Sequence, residues 1–223
     1  MRILLLIISG GVDPLYAELK EACRANITPP NVTRIFTEYS TDVTELTLKG
    51  DTIFLPGGEA YEGIIHKTIC GIEYMLKDES FTHVIRSNLS SVWCFPRLVS
   101  HLEKQPKTRM FMGVIGTSLP RHFVSGAGMY MTRDVALQLV NIRYHVHSYG
   151  IYNDDIAISF ALADTGVGIS SSAERFDFGL LHLFHENKHS LPESVFHFRM
   201  KLDDHRSAEP AIMRELMEIL PKA

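Results

Sequence analysis

Cysteine is scarce. Cys23, Cys70 and Cys94 are the only three in 223 residues. The number is odd, and the spacings fit neither a zinc pattern nor a disulfide framework. All three read as small buried apolar residues, and a reducing compartment suits them. Long apolar runs are missing too. The run near the start, Ile3 to Ile8, covers six residues. A signal core needs about 7–15 and a membrane span about 20. The expectation is a fully buried first strand, no membrane span and a cytoplasmic location. Asn26, Asn31 and Asn88 open N-x-[ST] patterns, which mean little without an export signal. Positive charge is thin and scattered. The 22 Lys and Arg stand against 26 Asp and Glu, for a net charge of −4, and no basic cluster is longer than a pair. A duplex partner needs a basic face, so nucleic acid is not the expected partner. A nucleotide or sugar phosphate needs only one or two local cations.

What is present is an ordinary globular composition, 45% hydrophobic and 22% charged, suited to one domain over residues 1–223. Strands are expected at Ile3–Ile8, Thr33–Tyr39, Thr52–Leu55, Phe81–Arg86, Arg109–Ile115 and Val195–Lys201. Helices are expected from Pro14 to about Asn26, Tyr61–Lys77, Pro96–Lys104, Arg133–Ile142, Asp154–Ala163 and Glu209–Leu220. Ser9-Gly10-Gly11 and Pro56-Gly57-Gly58 punctuate them. Strands alternating with helices over the first half imply an α/β sheet covered on both faces.

Four segments carry polar chemistry. In FTHVIRSNLSSVW (81–93) an apolar strand ends in Arg86, Ser87, Asn88, Ser90 and Ser91. Ligands collect at such strand ends, and the forked donors of Arg86 suit a phosphate. In SGAGMYMTRD (125–134), Gly126, Ala127 and Gly128 read as a pocket-lining loop or, more plainly, as a bulge or a tight turn. In YNDDIAISFAL (152–162), Asp154 and Asp155 precede an apolar helix. One aspartate suffices as a cap, and the other is free to act as a general base. In SVFHFRMK (194–201), His197, Arg199 and Lys201 alternate on one strand face, an anion or metal seat or else a solvated face. His182, His185 and His189 match no standard zinc spacing.

Taken in order, these segments resemble the GT-A glycosyltransferases, closest in look to the β-1,3-galactosyltransferase and Fringe-like families. In those families a segment of the form Asp-x-Tyr-x-Asn-Leu-x-x-Lys-Thr opens a long helix, and EAYEGIIHKT (59–68) keeps its Tyr61, Lys67 and Thr68. A glycine segment and an acidic motif follow, matched by SGAG and Asn153-Asp154-Asp155. The resemblance spans roughly residues 50–200. It implies a single GT-A domain with a mixed, mostly parallel sheet flanked by helices. Residues 1–120 would mainly bind nucleotide, and 121–223 would mainly carry acceptor and catalysis.

The implied reaction moves a sugar from a nucleoside-diphosphate donor, mostly UDP-sugar in those families, to a glycan or glycoconjugate hydroxyl. Asp155 would be the general base of an inverting transfer, with Asp154 beside it. Ser9, Gly10, Lys67, Arg86, Asn88, Ser90, Gly126, Ala127, Gly128, Arg199 and Lys201 would bind the nucleotide-sugar. His197 would face the diphosphate or its metal. The chain departs from the family where Asp-x-Asp should stand, because Asn88-Leu89-Ser90 offers no carboxylate there. Mn2+ or Mg2+ is therefore expected to be weakly held and dispensable. Two other readings compete. One is a non-catalytic sugar- or nucleotide-binding pseudo-enzyme. The other is a sugar-nucleotide pyrophosphorylase, disfavoured because SGGVDP lacks the Arg and Lys of that first loop.

Overall fold

Asp13 and Pro14 start the first helix by physical means that the sequence displays. The Asp13 carboxylate accepts from Leu15 N at 2.8 Å, and Pro14 occupies a position where no backbone donor is needed. The computed structural model describes residues 1–10, 13–60, 63–118 and 120–222. Gly11 and Tyr61, both named above, lie outside them. Strand β1, Ile3–Ile8, is buried throughout and is followed by α1, Pro14–Ala25. Next come β2 (Val32–Ser40), β3 (Thr47–Lys49), β4 (Thr52–Pro56) and α2 (Ile64–Met75). The middle of the chain forms β5 (His83–Asn88), β6 (Ser91–Trp93), α3 (Phe95–Glu103), β7 (Phe111–Ser118) and β8 (Arg121–Thr132). The remainder forms α4 (Arg133–Asn141), α5 (Arg143–Ser148), α6 (Asp154–Asp164), β9 (Ser171–Ser172), β10 (Phe176–Phe178), α7 (Leu181–Asn187), β11 (His197–Met200) and α8 (Glu209–Ile219). Among the described residues no helix is long and apolar enough to cross a membrane.

The chain divides into two compact units. The first is Met1–Gly11, Asn31–Asn88 and Pro106–Ala173, and the second is Val12–Pro30, Leu89–Gln105 and Glu174–Ala223. Each draws on three stretches of chain, so neither coincides with residues 1–120 or 121–223.

The first unit holds an eight-stranded mixed sheet in the order β3-β4-β2-β1-β5-β8-β7-β9. Strands β4, β2, β1 and β5 run parallel to their neighbours in that run, and β8 runs antiparallel to both β5 and β7. Leu4, Leu6 and Ile8 of β1 share a core with Ile65, Ile69 and Ile72 of α2, Val135 and Leu139 of α4, and Ala157 and Ile158 of α6. Ile65, Ile69 and Ile72 recur at helical spacing in α2, and the face they form is buried.

The glycine segment needs a correction. Gly126, Ala127 and Gly128, expected as a pocket-lining loop, lie within β8, which is paired with β5 through Ser87↔Gly128. The small residues make room for neighbours rather than for a turn, as the site below shows. A second glycine serves a bulge. The β7–β8 register shifts between Gly113 and Ile115. Gly113 has φ 155°, and a Cβ there would lie 2.3 Å from Gly128 O and 2.4 Å from Val124 Cγ1. Gly113→Ala is expected to cost roughly 1–3 kcal/mol from backbone strain alone. Urea unfolding measures it, and a variant as stable as the parent would show that the bulge relaxes freely.

His83, on β5, is 2% exposed. Burial, reinforced by the charge of Lys107, pushes its pKa down to about 4 from 6.5. Its Nδ1 lies 2.9 Å from Thr82 Oγ1. The unfolded chain takes up a proton below pH 6.5, but the folded chain resists until about 4. His83 therefore erodes stability progressively as pH falls through that window. The urea midpoint is expected to drop on acidification, and to drop less in His83→Asn. Identical pH dependence in the two proteins would remove His83 as a contributor.

The second unit holds the three-stranded sheet β10-β11-β6. Arg97 of α3 ties down the chain ahead of β11, donating to Pro192 O at 3.1 Å and Val195 O at 3.0 Å. Glu209, fully buried at the start of α8, accepts from Leu202 N at 3.0 Å and pairs with Arg206 at 2.9 Å.

Candidate functional site

The sheet reverses its winding order at β1. The chain passes from β1 to β2 on one side and from β4 to β5 on the other, which leaves the carboxyl ends of β1 and β5 as neighbours, Ile8 opposite Asn88. Ligands of open α/β sheets bind at such a point. Asp155 and Gly126, read from distant segments, converge here with Arg86 and Asn88.

Arg86 is 2% exposed and lies at the centre of the cluster. Its Nη2 donates to Asp154 Oδ2 at 2.6 Å, and its Nη1 donates to Asn88 Oδ1 at 3.0 Å and to the Gly126 carbonyl. The guanidinium thus gathers an amide, a carbonyl and a carboxylate oxygen. Gly126 must be small: a Cβ there would lie 2.3 Å from Arg86 Nη1 and 3.2 Å from Asp155 Cβ. The glycine signal was real, but it reports crowding in a strand.

Helix α6 is fastened to β8 by side chains acting on backbone donors. Gly126 N donates to Asp155 Oδ2 at 3.1 Å, and Val124 N donates to Ser159 Oγ at 3.0 Å. Two residues apart on a strand, these N–H groups face the same edge. Asp155 Oδ1 accepts from Ile156 N at 2.9 Å. The Asp155 pKa is raised above its usual 3.8, chiefly by burial, with the Gly126 hydrogen bond pulling down and the Asp154 charge pushing up. A half-buried carboxylate with a raised pKa is suited to accept a proton from a ligand hydroxyl.

A second cluster lines the ends of β1, β2 and β4. Lys67 is 3% exposed, and its Nζ donates to Ser9 O at 2.6 Å and to Glu59 Oε2 at 2.7 Å. Glu59 also accepts from Tyr39 N at 2.8 Å, and Ser9 Oγ donates to Glu38 Oε1 at 2.7 Å. Lys67 therefore ties the Ser9 carbonyl, just past β1, to Glu59. Glu38, Glu59 and Ser159 were not singled out from sequence. For Glu59 a signal existed, since it stands first in EAYEGIIHKT, where the resembling segment carries Asp. For Ser159 and Glu38 there was none.

Ser90, His197, Arg199 and Lys201 belong to the second unit. His197 is 1% exposed, stacks on Trp93 with ring centroids 4.1 Å apart, and lies 3.0 Å from Ser91 Oγ. Burial, with the charges of Arg175 and Arg199, holds its pKa well below 6.5. Arg199 lies on β11 opposite Ser91, whereas Lys201 is exposed just beyond the strand. The shared strand face expected for all three therefore holds for His197 and Arg199 only. Ser90 is buried, and its carbonyl accepts from Met200 N at 2.7 Å.

The divalent cation implied by the resemblance does not fit the end of β5. Asn88 has given its amide oxygen to Arg86, and Asp154 is ion-paired to the same guanidinium. Among the described residues no group of three or more His, Cys, Asp or Glu side chains is disposed to hold a metal ion. No protein-family model matches this chain, and no curated protein matches it either.

Proposed function

We propose that the chain is a GT-A type glycosyltransferase, moving a sugar from a nucleoside-diphosphate donor to a glycan or glycoconjugate hydroxyl. A UDP-sugar is the expected donor. The observation that carries the reading is Asp155, a carboxylate with a raised pKa held beside Gly126, where β5 ends at the switch point of the sheet. The mixed sheet, with its parallel run β4-β2-β1-β5, supports it.

On this reading Asp155 takes the proton of the acceptor hydroxyl. The hydroxyl oxygen forms a bond to the anomeric carbon as the bond to the diphosphate breaks. Attack from the side opposite the leaving group inverts that carbon. The donor diphosphate lies over the end of β5, near Asn88.

The test is a panel of UDP-, GDP- and dTDP-sugars read by thermal shift and by donor hydrolysis. A bound donor stabilises by mass action, about 2.7 kcal/mol at a hundred times its Kd. A shift with slow hydrolysis to free sugar is the expected result. A shift without hydrolysis would favour a non-catalytic binding protein, and no shift with any donor would overturn the proposal.

A further inference from the structure

We propose that Arg86 is the resident cation of this site and stands where a divalent ion would otherwise bind at the end of β5. The oxygens around its guanidinium are an amide oxygen from Asn88, a carbonyl from Gly126 and a carboxylate from Asp154. These are the oxygen types that a hard divalent cation collects. Here a side chain of the fold holds all three, and it is 2% exposed.

Two consequences make a metal ion a poor companion. An ion drawn to Asn88 Oδ1 would lie against Nη1, beside a buried positive charge. The other nearby carboxylate, Asp155, already accepts from Gly126 N at 3.1 Å and Ile156 N at 2.9 Å, which lessens the charge it can offer an ion while leaving each oxygen a lone pair for a proton. With its oxygen given to Arg86, Asn88 offers a ligand the N–H groups of its amide, which are donors suited to anionic oxygens. The site therefore takes its diphosphate without a metal bridge, a consequence that rests on the transferase reading. The identity of the resident cation does not rest on it.

The test uses Mn2+ itself. Electron paramagnetic resonance titration of the unmodified chain should show no bound Mn2+ at micromolar concentrations, and the Tm should be the same in EDTA and in Mn2+. Arg86→Ala leaves the three oxygens without their cation. That variant should bind Mn2+ and gain Tm when Mn2+ is added. Tight Mn2+ binding by the unmodified chain would overturn the proposal, as would a folded Arg86→Ala that ignores Mn2+. If Arg86→Ala does not fold, the unmodified chain decides alone.

Calorimetry with UDP separates the two ideas. Equal affinity in EDTA and in Mn2+ is expected. Binding only in Mn2+ would overturn the metal-free site and leave the transferase reading standing. Failure of UDP to bind in either buffer would count against the UDP donor, while the Mn2+ titration would still decide the role of Arg86.

Discussion

On the proposed transferase reaction, Asp155→Asn is expected to slow sugar transfer by about 10²–10⁴-fold, roughly 3–5 kcal/mol of barrier, while the protein stays folded. The carboxamide is nearly the same size, and its remaining oxygen can still accept from Gly126 N or Ile156 N. One hydrogen bond is lost, worth about 1 kcal/mol of stability. What disappears is the capacity to take a proton. The raised pKa also gives the pH profile a sign. The base works only when ionised, so the rate should fall on acidification with a midpoint above the ordinary 3.8, and the variant should lack that limb. Initial rates of donor turnover across pH, with circular dichroism as a control for folding, make the comparison. Turnover near that of the parent would remove Asp155 from the mechanism. Loss of fold would assign it to the joint between α6 and β8 instead.

Arg86→Met should cost about 3–5 kcal/mol of stability, because breaking a buried pair strands the partner charge. The side chains of Arg86 and Asp154 are only 2% and 13% exposed. Methionine fills much of the same volume, so the loss reports charge and hydrogen bonding more than an empty cavity. Asp154→Asn keeps an oxygen for Nη2 but leaves the 2% exposed guanidinium without its counter-ion, so it too should destabilise. In the double variant the stranded carboxylate is gone, and part of the loss should return. A urea double-mutant cycle measures that coupling. A cost under about 1 kcal/mol for Arg86→Met would mean that the pair behaves like one on an open surface.

The sequence was most legible where one physical signal dominated. Six consecutive apolar residues mark β1 to the residue, and Asp13-Pro14 marks the start of α1. The isoleucine spacing of α2 and the acidic opening of α6 were equally plain. Strands β3, β6, β9 and β10 have three residues or fewer, too short to display a period. Strand β8 was misread because glycine usually punctuates loops, whereas here the lack of a side chain at Gly126 leaves space for Arg86 and Asp155. The candidate residues Arg86, Asn88, Gly126, Asp154 and Asp155 could be named one by one. Their pairing could not, since Arg86 and Asp154 are 68 positions apart and nothing local links them.

The joint between α6 and β8 bears on how this site can change over generations. Its donors are the N–H groups of Val124 and Gly126. Nearly every amino acid carries that group, so replacement of Val124 by any residue but proline keeps the donor, and drift there is limited by packing. At Gly126 the limit is volume. Only proline lacks the N–H. A proline at either position would remove one of the bonds that fasten the helix carrying Asp155, so these are two places where one residue change opens the joint without touching an acidic residue.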